Sequence, residues 1–142
     1  MNQSSILVYW MRQIASETFP MKGSNIPVDI CLAVACHHHL GDTLTMKGLV
    51  AELPYSEAGV QYNLRELRDH GWVAMQNCPE DGRVRFLVPT EKLEGALENY
   101  WQTIAEMVDR ARNDPASLTP RVAKSVPAQH VSNPPEALRV IR

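Results

Sequence analysis

Two stretches of this sequence carry polar and cationic side chains at spacings that suit contact with a nucleic acid. If a helix begins at Ser56, its outer face presents Ala58, Tyr62, Arg65 and Asp69, with Gln61 at one flank. The positions nearest its N-terminus reach furthest into a nucleic-acid groove, so the expected contacts are Ser56, Ala58, Gln61, Tyr62 and Arg65. A glutamine can bond adenine bidentately, and an arginine can bond guanine or a phosphate. Tyr62 could bond a phosphate or pack against a thymine methyl. This face therefore predicts contact with base edges, although a polar helix face can also be simply solvated.

The second stretch is an acidic glycine turn that carries Asp81, Arg83 and Arg85. Asp81 stands two residues before Arg83, and we expect it to orient the guanidinium by a charge-assisted pair. Residues two apart in a strand share a face, so Arg85 should lie beside Arg83 and contact phosphate. The alternative is an ordinary hairpin with an exposed ion pair, which contributes little to stability.

Apolar periodicity and capping residues predict the elements that position these side chains. Gly71 suits the left-handed exit of the helix that Ser56 begins. The predicted helices are 4–17, about 27–39, 46–53 after a Thr45 cap, 57–70 after the Ser56 cap, and 91–113 after a Thr90 cap. The predicted strands are 72–78 and 84–88, joined by a turn at 79–82.

The same periodicity predicts which side chains face inward. In the helix that Ser56 begins, Val60, Leu64 and Leu67 follow at spacings of four and three. The second helix is apolar almost all round, which is typical of a central, buried helix. Its expected core residues, with those of the third helix, are Ile30, Leu32, Ala33, Val34, Ala35, Leu49, Val50 and Leu53.

Two motifs around the predicted hairpin resemble those of a known family. Residues 67–73 read L-R-D-H-G-W-V, which is similar to the L-x-x-x-G-hydrophobic-V junction of the MarR family of bacterial transcriptional regulators. Residues 81–92 read D-G-R-V-R-F-L-V-P-T-E-K, which is similar to the D-x-R…L-T-x-K wing of that family, without a gap. The resemblance covers roughly residues 27–112. The chain departs from the family pattern at Gly48, Asn63, Pro89 and the Leu93 that follows Lys92.

The resemblance implies a mainly α fold with a small β-hairpin wing, a winged helix-turn-helix flanked by N- and C-terminal dimerisation helices. Residues 1–113 would form this domain, with a DNA-binding core at about 27–90 and dimerisation helices at about 4–17 and 91–113. It also implies that Arg83 enters the minor groove, where narrow A·T-rich tracts concentrate negative potential. The expected partner is double-stranded DNA with a pseudo-palindromic operator, and a small apolar effector could enter beside the dimer helices.

The terminal helices offer large apolar side chains that could form a homodimer seam or an internal core. We favour the seam, because so small a domain needs a place to bury its aromatic residues. These side chains are Leu7, Trp10, Met11, Leu97, Trp101, Ile104 and Val108. From residue 114 onward the chain holds five of its ten prolines and no aromatic residue, so we expect 114–142 to be a disordered tail.

The charge of the chain opposes simple attraction to DNA. The formal net charge is −2, and residues 41–90 hold five lysines and arginines against seven carboxylates. Affinity must therefore come from the placement of a few cations, doubled by dimerisation. The acidic balance leaves open a rival function, a winged helix that binds only protein partners.

A cluster of cysteine and histidine residues suggests a second rival, a metal or redox sensor. Cys36 and His37–His39 are consecutive, with Cys31 nearby and Cys78 just before the turn. Successive helical residues point about 100° apart, so they cannot all converge on one ion. Histidines in a last helical turn also suit the negative end of the helix dipole. We therefore expect no metal site and no cofactor here.

Three further expectations follow from what the sequence lacks. There is no Gly-rich phosphate loop, nucleophile elbow or H-E-x-x-H motif, so we do not expect an enzyme. The apolar runs are shorter than the ~20 residues that a membrane helix needs. No basic residue precedes the short apolar run near the N-terminus, so we expect no secretory signal and a cytoplasmic location.

Overall fold

The computed structural model describes residues 3–20, 23–114 and 116. Its elements are the helices α1 (Gln3–Thr18), α2 (Ile26–His39), α3 (Met46–Glu52) and α4 (Glu57–Asp69), the strands β1 (Val73–Asn77) and β2 (Arg85–Pro89), and the helix α5 (Glu91–Asn113). Every predicted element is confirmed, and its ends differ from the prediction by no more than one residue. The predicted tail lies outside the described residues, apart from positions 114 and 116.

Side-chain caps begin α3 and α4 where the sequence placed them. Thr45 Oγ1 accepts a hydrogen bond from the Gly48 N–H at 3.1 Å, and Ser56 Oγ accepts one from the Gly59 N–H at 3.1 Å. Each cap supplies a partner for an amide that has none within its own helix. Asn63, whose polar side chain departs from the family pattern, donates from Nδ2 to the Gly59 carbonyl at 2.8 Å.

Residues 23–95 form one compact unit, which holds α2, α3, α4, the hairpin and the start of α5. The strands pair antiparallel with Val73 opposite Pro89 and Asn77 opposite Arg85. The Leu87 N–H also donates to the Leu44 carbonyl at 2.7 Å, which joins the hairpin to the loop before α3. The fully buried side chains of this unit include Ile30, Val34, Leu49, Val60, Leu64, Leu67, Trp72, Val73 and Leu93.

The expectation that α2 is buried almost all round is wrong at Leu32, whose side chain is 44% exposed. Ala33 is half-buried, as are Val50 and Leu53. α2 packs against α4 and β2 and leaves Leu32 exposed, so its apolar composition overstates its burial. The outward stripe contains Leu32 and Cys36, four residues apart and both exposed.

The second compact unit contains α1 and the part of α5 from Ala96 onward. Its core is Ile14, Ile104 and Met107, against which Leu7, Trp10, Met11, Tyr100 and Val108 pack. Most of the predicted seam residues therefore lie in an internal core, because α1 and α5 pack against each other within one chain. Two of the seven predicted seam residues lie outside this cluster: Leu97 is half-buried, and Trp101 is 64% exposed. Val8 and Tyr9, which the periodicity did not single out, are exposed as well.

No helix in the described ranges is both long enough and apolar enough to cross a membrane.

Candidate nucleic-acid interface

The outer face of α4 is open, as the sequence predicts. Ala58, Gln61, Tyr62 and Arg65 are all exposed, and Tyr62 retains half of its accessible surface. The opposite face, with Val60, Leu64 and Leu67, is completely buried. Ser56 is exposed too, but its Oγ is already engaged as the cap of the helix. The inner face thus fixes the rotation of α4 and leaves four of the five predicted side chains available.

Gln61 has a partner that the sequence analysis missed. Its Nε2 donates to Oε1 of Glu57 at 2.9 Å, one helical turn earlier. Residues four apart on a helix are neighbours, so the spacing alone could have signalled this pair. The contact leaves Oε1 and one N–H of Gln61 unused, which is the acceptor and donor that adenine requires.

The hairpin turn places Asp81 differently from the prediction. Its Oδ1 accepts a hydrogen bond from the backbone N–H of Arg83 at 3.0 Å, and no ion pair joins it to the guanidinium. The Val84 N–H donates to the Asp81 carbonyl at 3.0 Å, and the Cys78 N–H donates to the Val84 carbonyl at 2.9 Å. Aspartate side chains commonly close turns through a backbone amide two residues ahead. Asp81 therefore shapes the turn and leaves the guanidinium unrestrained.

The two arginines of the hairpin do not share a strand face. β2 begins at Arg85, so Arg83 lies in the turn before it. Both side chains are exposed. The predicted alternation fails because Arg83 precedes the strand and lies in the turn, where strand periodicity does not apply.

Four arginines of this surface, Arg65, Arg68, Arg83 and Arg85, are exposed, and none pairs with a carboxylate in the part of the chain that the structure describes. We call the exposed α4 face and the hairpin with these arginines the α4–wing surface. Of the acids that make residues 41–90 negative, Asp42 and Glu52 face His37, whereas Glu57 lies on α4 itself and accepts a hydrogen bond from Gln61. The local cations are thus available despite the net charge.

The cysteine and histidine residues at the end of α2 do not converge. Cys31 is buried, and this burial raises the pKa of its thiol to about 12. Cys36 is exposed. His37 Nε2 lies 2.7 Å from Oε2 of Glu52, and His39 Nε2 lies 3.0 Å from Glu94. Among the described residues, no group of three or more histidine, cysteine or acidic side chains could hold a metal ion.

Comparison with solved structures places this fold. An S. aureus MepR mutant bound to an oligodeoxyribonucleotide superposes with a TM-score of 0.57 at 14% identity, over 91% of this chain and 93% of the other. A second MepR mutant gives 0.51 at 17% identity, over 75% and 74%. The heme sensor protein PefR from Streptococcus agalactiae, in complex with heme, gives 0.50 at 13% identity, over 87% and 80%.

No family model matches the sequence, and no curated protein does either. The two sequence motifs cover only part of the chain. The likeness to the solved structures covers the whole arrangement of five helices and a two-stranded wing. With these elements in this order, the chain has the winged-helix fold of the MarR-like regulators.

Proposed function

We propose that this chain is a sequence-specific DNA-binding transcriptional regulator that works as a cytoplasmic homodimer. The observation that carries the proposal is the α4–wing surface, where four exposed arginines lack carboxylate partners among the described residues. An unpaired guanidinium can bind phosphate or a base edge without first breaking an internal ion pair. The likeness to a MepR structure that contains an oligodeoxyribonucleotide supports the same assignment.

In this proposal α4 lies in the major groove. Gln61 reads adenine with its remaining donor and acceptor, and Arg65 bonds guanine or a phosphate. Tyr62, half exposed near the start of the helix, contacts a phosphate or a thymine methyl. Glu57 presets the amide of Gln61, since the 2.9 Å contact fixes which end of the amide points outward.

The hairpin contributes the second contact. Arg83 sits in the turn beyond the paired strands, where an exposed guanidinium can enter the minor groove. Asp81 supports this contact by holding the backbone of the turn. Arg85, at the first position of β2, contacts the phosphate backbone.

A homodimer supplies what one copy lacks. The unit formed by α1 and the later part of α5 leaves Val8, Tyr9 and Trp101 each more than half exposed. A second copy that covers these side chains removes apolar surface from water, which stabilises the pair. Two copies related by a two-fold axis present two α4–wing surfaces, and we expect them to bind a pseudo-palindromic site.

The test is fluorescence anisotropy of the full chain with labelled duplexes across a salt series. A random duplex should bind weakly, and log Kd should rise linearly with the logarithm of the salt concentration. Selection from a random duplex pool should enrich one inverted repeat that binds on the order of a thousandfold more tightly. A chain that binds no duplex even at low salt would instead be the rival protein-binding module.

A further inference from the structure

The end of α4 leaves three backbone carbonyls for another element to satisfy. Gly71, with φ of 77°, allows the chain to turn back so that its N–H donates to the Arg68 carbonyl at 3.1 Å. The Trp72 N–H donates to the Leu67 carbonyl at 2.8 Å. These bonds close the last turn of the helix. The carbonyls of His70, Gly71 and Trp72 follow the last residue of the helix.

Two side chains at the start of α5 lie within hydrogen-bond distance of these three carbonyls, and the single Thr90 hydroxyl proton is shared between two of them. Lys92 Nζ lies 2.7 Å from the His70 carbonyl oxygen. Thr90 Oγ1 lies 2.6 Å from the Gly71 carbonyl oxygen and 3.0 Å from that of Trp72. We call Thr90 and Lys92 the exit clamp.

The ammonium of Lys92 is held at this position by more than one contact. Nζ lies 4.6 Å from the centroid of the Trp72 ring, within reach of a cation–π interaction. The negative end of the α4 dipole also attracts a cation placed at its last carbonyls. Partial burial lowers the pKa of Lys92, which reflects the loss of water around Nζ. The ammonium therefore contacts the exit of α4 and differs from the exposed arginines of the α4–wing surface, which pair with no carboxylate in the described part of the chain.

Thr90 connects the two helices through a single hydroxyl. While it donates to the exit of α4, its Oγ1 accepts from the Leu93 N–H at 3.3 Å and so caps α5. The Thr90 N–H also donates to the Trp72 carbonyl at 3.3 Å. The beginning of α5 and the exit of α4 are consequently joined by three hydrogen-bond donors, the Lys92 ammonium, the Thr90 hydroxyl and the Thr90 N–H.

We propose that Thr90 and Lys92 are positioning residues for DNA reading: they hold the C-terminal end of α4 in register with the wing, and Lys92 makes no phosphate contact. This inference rests on the proposed function. A misplaced α4 loses base contacts along its whole face, because directional hydrogen bonds fail with small displacements. A lost phosphate contact would act differently, by reducing the number of counterions released.

The experiment compares salt series for four clamp variants and one control variant of the full chain. Lys92→Met keeps the unbranched side chain as far as Cε and removes its donor, and Lys92→Arg restores a donor and a charge. Thr90→Val removes the hydroxyl at constant shape, and Thr90→Ser keeps it. Lys47→Met, at an exposed lysine of α3, is the matched charge-loss control.

We expect Lys92→Met and Thr90→Val to weaken binding to the selected repeat by about tenfold, the effect of losing one hydrogen bond from a charged or buried group. The slope of log Kd against log salt should stay at the wild-type value, and Lys92→Arg and Thr90→Ser should restore most of the affinity. A shallower slope in Lys92→Met, by about one unit, would make Lys92 a phosphate contact and overturn the proposal. Unchanged affinity in both loss variants would overturn it as well.

Hydrogen exchange without DNA separates this inference from the proposed function. In Lys92→Met the amides of His70, Gly71 and Trp72 should exchange faster than in the wild type, while those of α3 keep their rates. If the wild-type chain binds no DNA, the proposed function fails whatever the exchange shows. If it binds DNA but these amides exchange at wild-type rates in both loss variants, the exit clamp alone is wrong. Should Lys92→Met not fold, the Thr90→Val and Thr90→Ser pair decides by the same two measurements.

Discussion

Two regions of the 23–95 unit carry dense polar chemistry, and they use it in opposite ways. At the C-terminal end of α2, which we call the histidine end (residues 36–39), His37 is bound to Glu52 and His39 to Glu94. On the α4–wing surface, Arg65, Arg83 and Arg85 have no carboxylate partner among the described residues. Internal pairs join elements of one chain, whereas unpaired cations can bind an external anion.

The difference shows why residue type alone is a poor guide to function. The histidine end has the residue types of a metal site, yet its side chains point to different acids on α3 and α5. The α4–wing surface lies in a stretch with net negative charge, yet its arginines remain available. What separates the two is where the nearest opposite charge lies, and only the folded chain reveals that.

The largest expected effect is on the α4–wing surface. We expect Arg83→Ala to weaken binding to every duplex by roughly ten- to a hundredfold, since one strong contact with DNA contributes about 1–3 kcal/mol. The log Kd against log salt plot should also become shallower. Fluorescence anisotropy across a salt series measures both quantities.

Arg112→Ala is the matched control, because Arg112 is exposed in the last turn of α5, outside the α4–wing surface. It should leave affinity and slope close to the wild-type values. Equal losses in the two variants would mean that binding depends on overall charge and that the wing has no special role.

The second effect concerns the buried cysteine of α2. The folded chain raises the pKa of Cys31 from 9.0 to about 12, because burial disfavours the thiolate. The stabilisation from keeping this thiol neutral is complete below pH 9 and is lost as the pH rises toward 12, where the folded thiol also ionises. Between pH 8 and pH 10 the free energy of unfolding should therefore fall by about 1 kcal/mol on account of this group.

Urea denaturation of wild type and Cys31→Ala at pH 8 and pH 10 measures this loss. The decrease in the free energy of unfolding between the two pH values should be larger in the wild type than in the variant. Burial also raises the pKa of Tyr100, and a hydrogen bond to Asp29 raises that of Tyr55, so both proteins retain some alkaline destabilisation. Cys36→Ala, at an exposed thiol of the same helix, should behave as the wild type does. A full wild-type decrease in Cys31→Ala would show that Cys31 is not protected by the fold.

The boundaries of the elements could be predicted because local chemistry sets them. Thr45 and Ser56 cap helices wherever their hydroxyls meet a free amide, and Gly71 ends α4 because it adopts positive φ without strain. The exposed face of α4 followed from the same periodicity. These signals lie within a few residues of the feature that they specify.

What could not be predicted depends on contacts between distant segments or on exact strand ends. The exit clamp joins residues about twenty positions apart, and its acceptors are backbone carbonyls, which leave no trace in residue type. Whether Trp101 faced inward or outward depended on which side of α5 receives α1, and heptad spacing allows both. From the sequence alone, the Asp81 carboxylate could bond either the backbone amide or the guanidinium of Arg83, and in the folded turn it bonds the amide.

A smaller effect tests the histidine end. Glu52→Gln removes the charge that faces His37 and keeps a hydrogen-bonding group, so we expect a loss of stability of less than about 1 kcal/mol. DNA affinity and its salt dependence should not change, because the pair lies within the chain. Thermal unfolding and anisotropy of the same sample check both statements. A several-fold change in affinity would place the histidine end within the DNA-binding machinery.

The smallest effect should come from His39, which is more exposed than His37 and pairs with Glu94 in the first turn of α5. The Glu94 carboxylate also interacts favourably with the positive N-terminal end of the α5 dipole. Glu94→Gln therefore weakens both the dipole interaction and the pair with His39, whereas His39→Gln weakens the pair alone. We therefore expect His39→Gln to cost less than Glu94→Gln, and about 0.5 kcal/mol or less by thermal unfolding. If the two variants cost the same, the ion pair accounts for the whole effect of Glu94. If His39→Gln weakens DNA binding, the histidine end would be coupled to the α4–wing surface. The coupling would run through Glu94, which lies in the same turn of α5 as Lys92, and the separation into internal and external chemistry would be wrong.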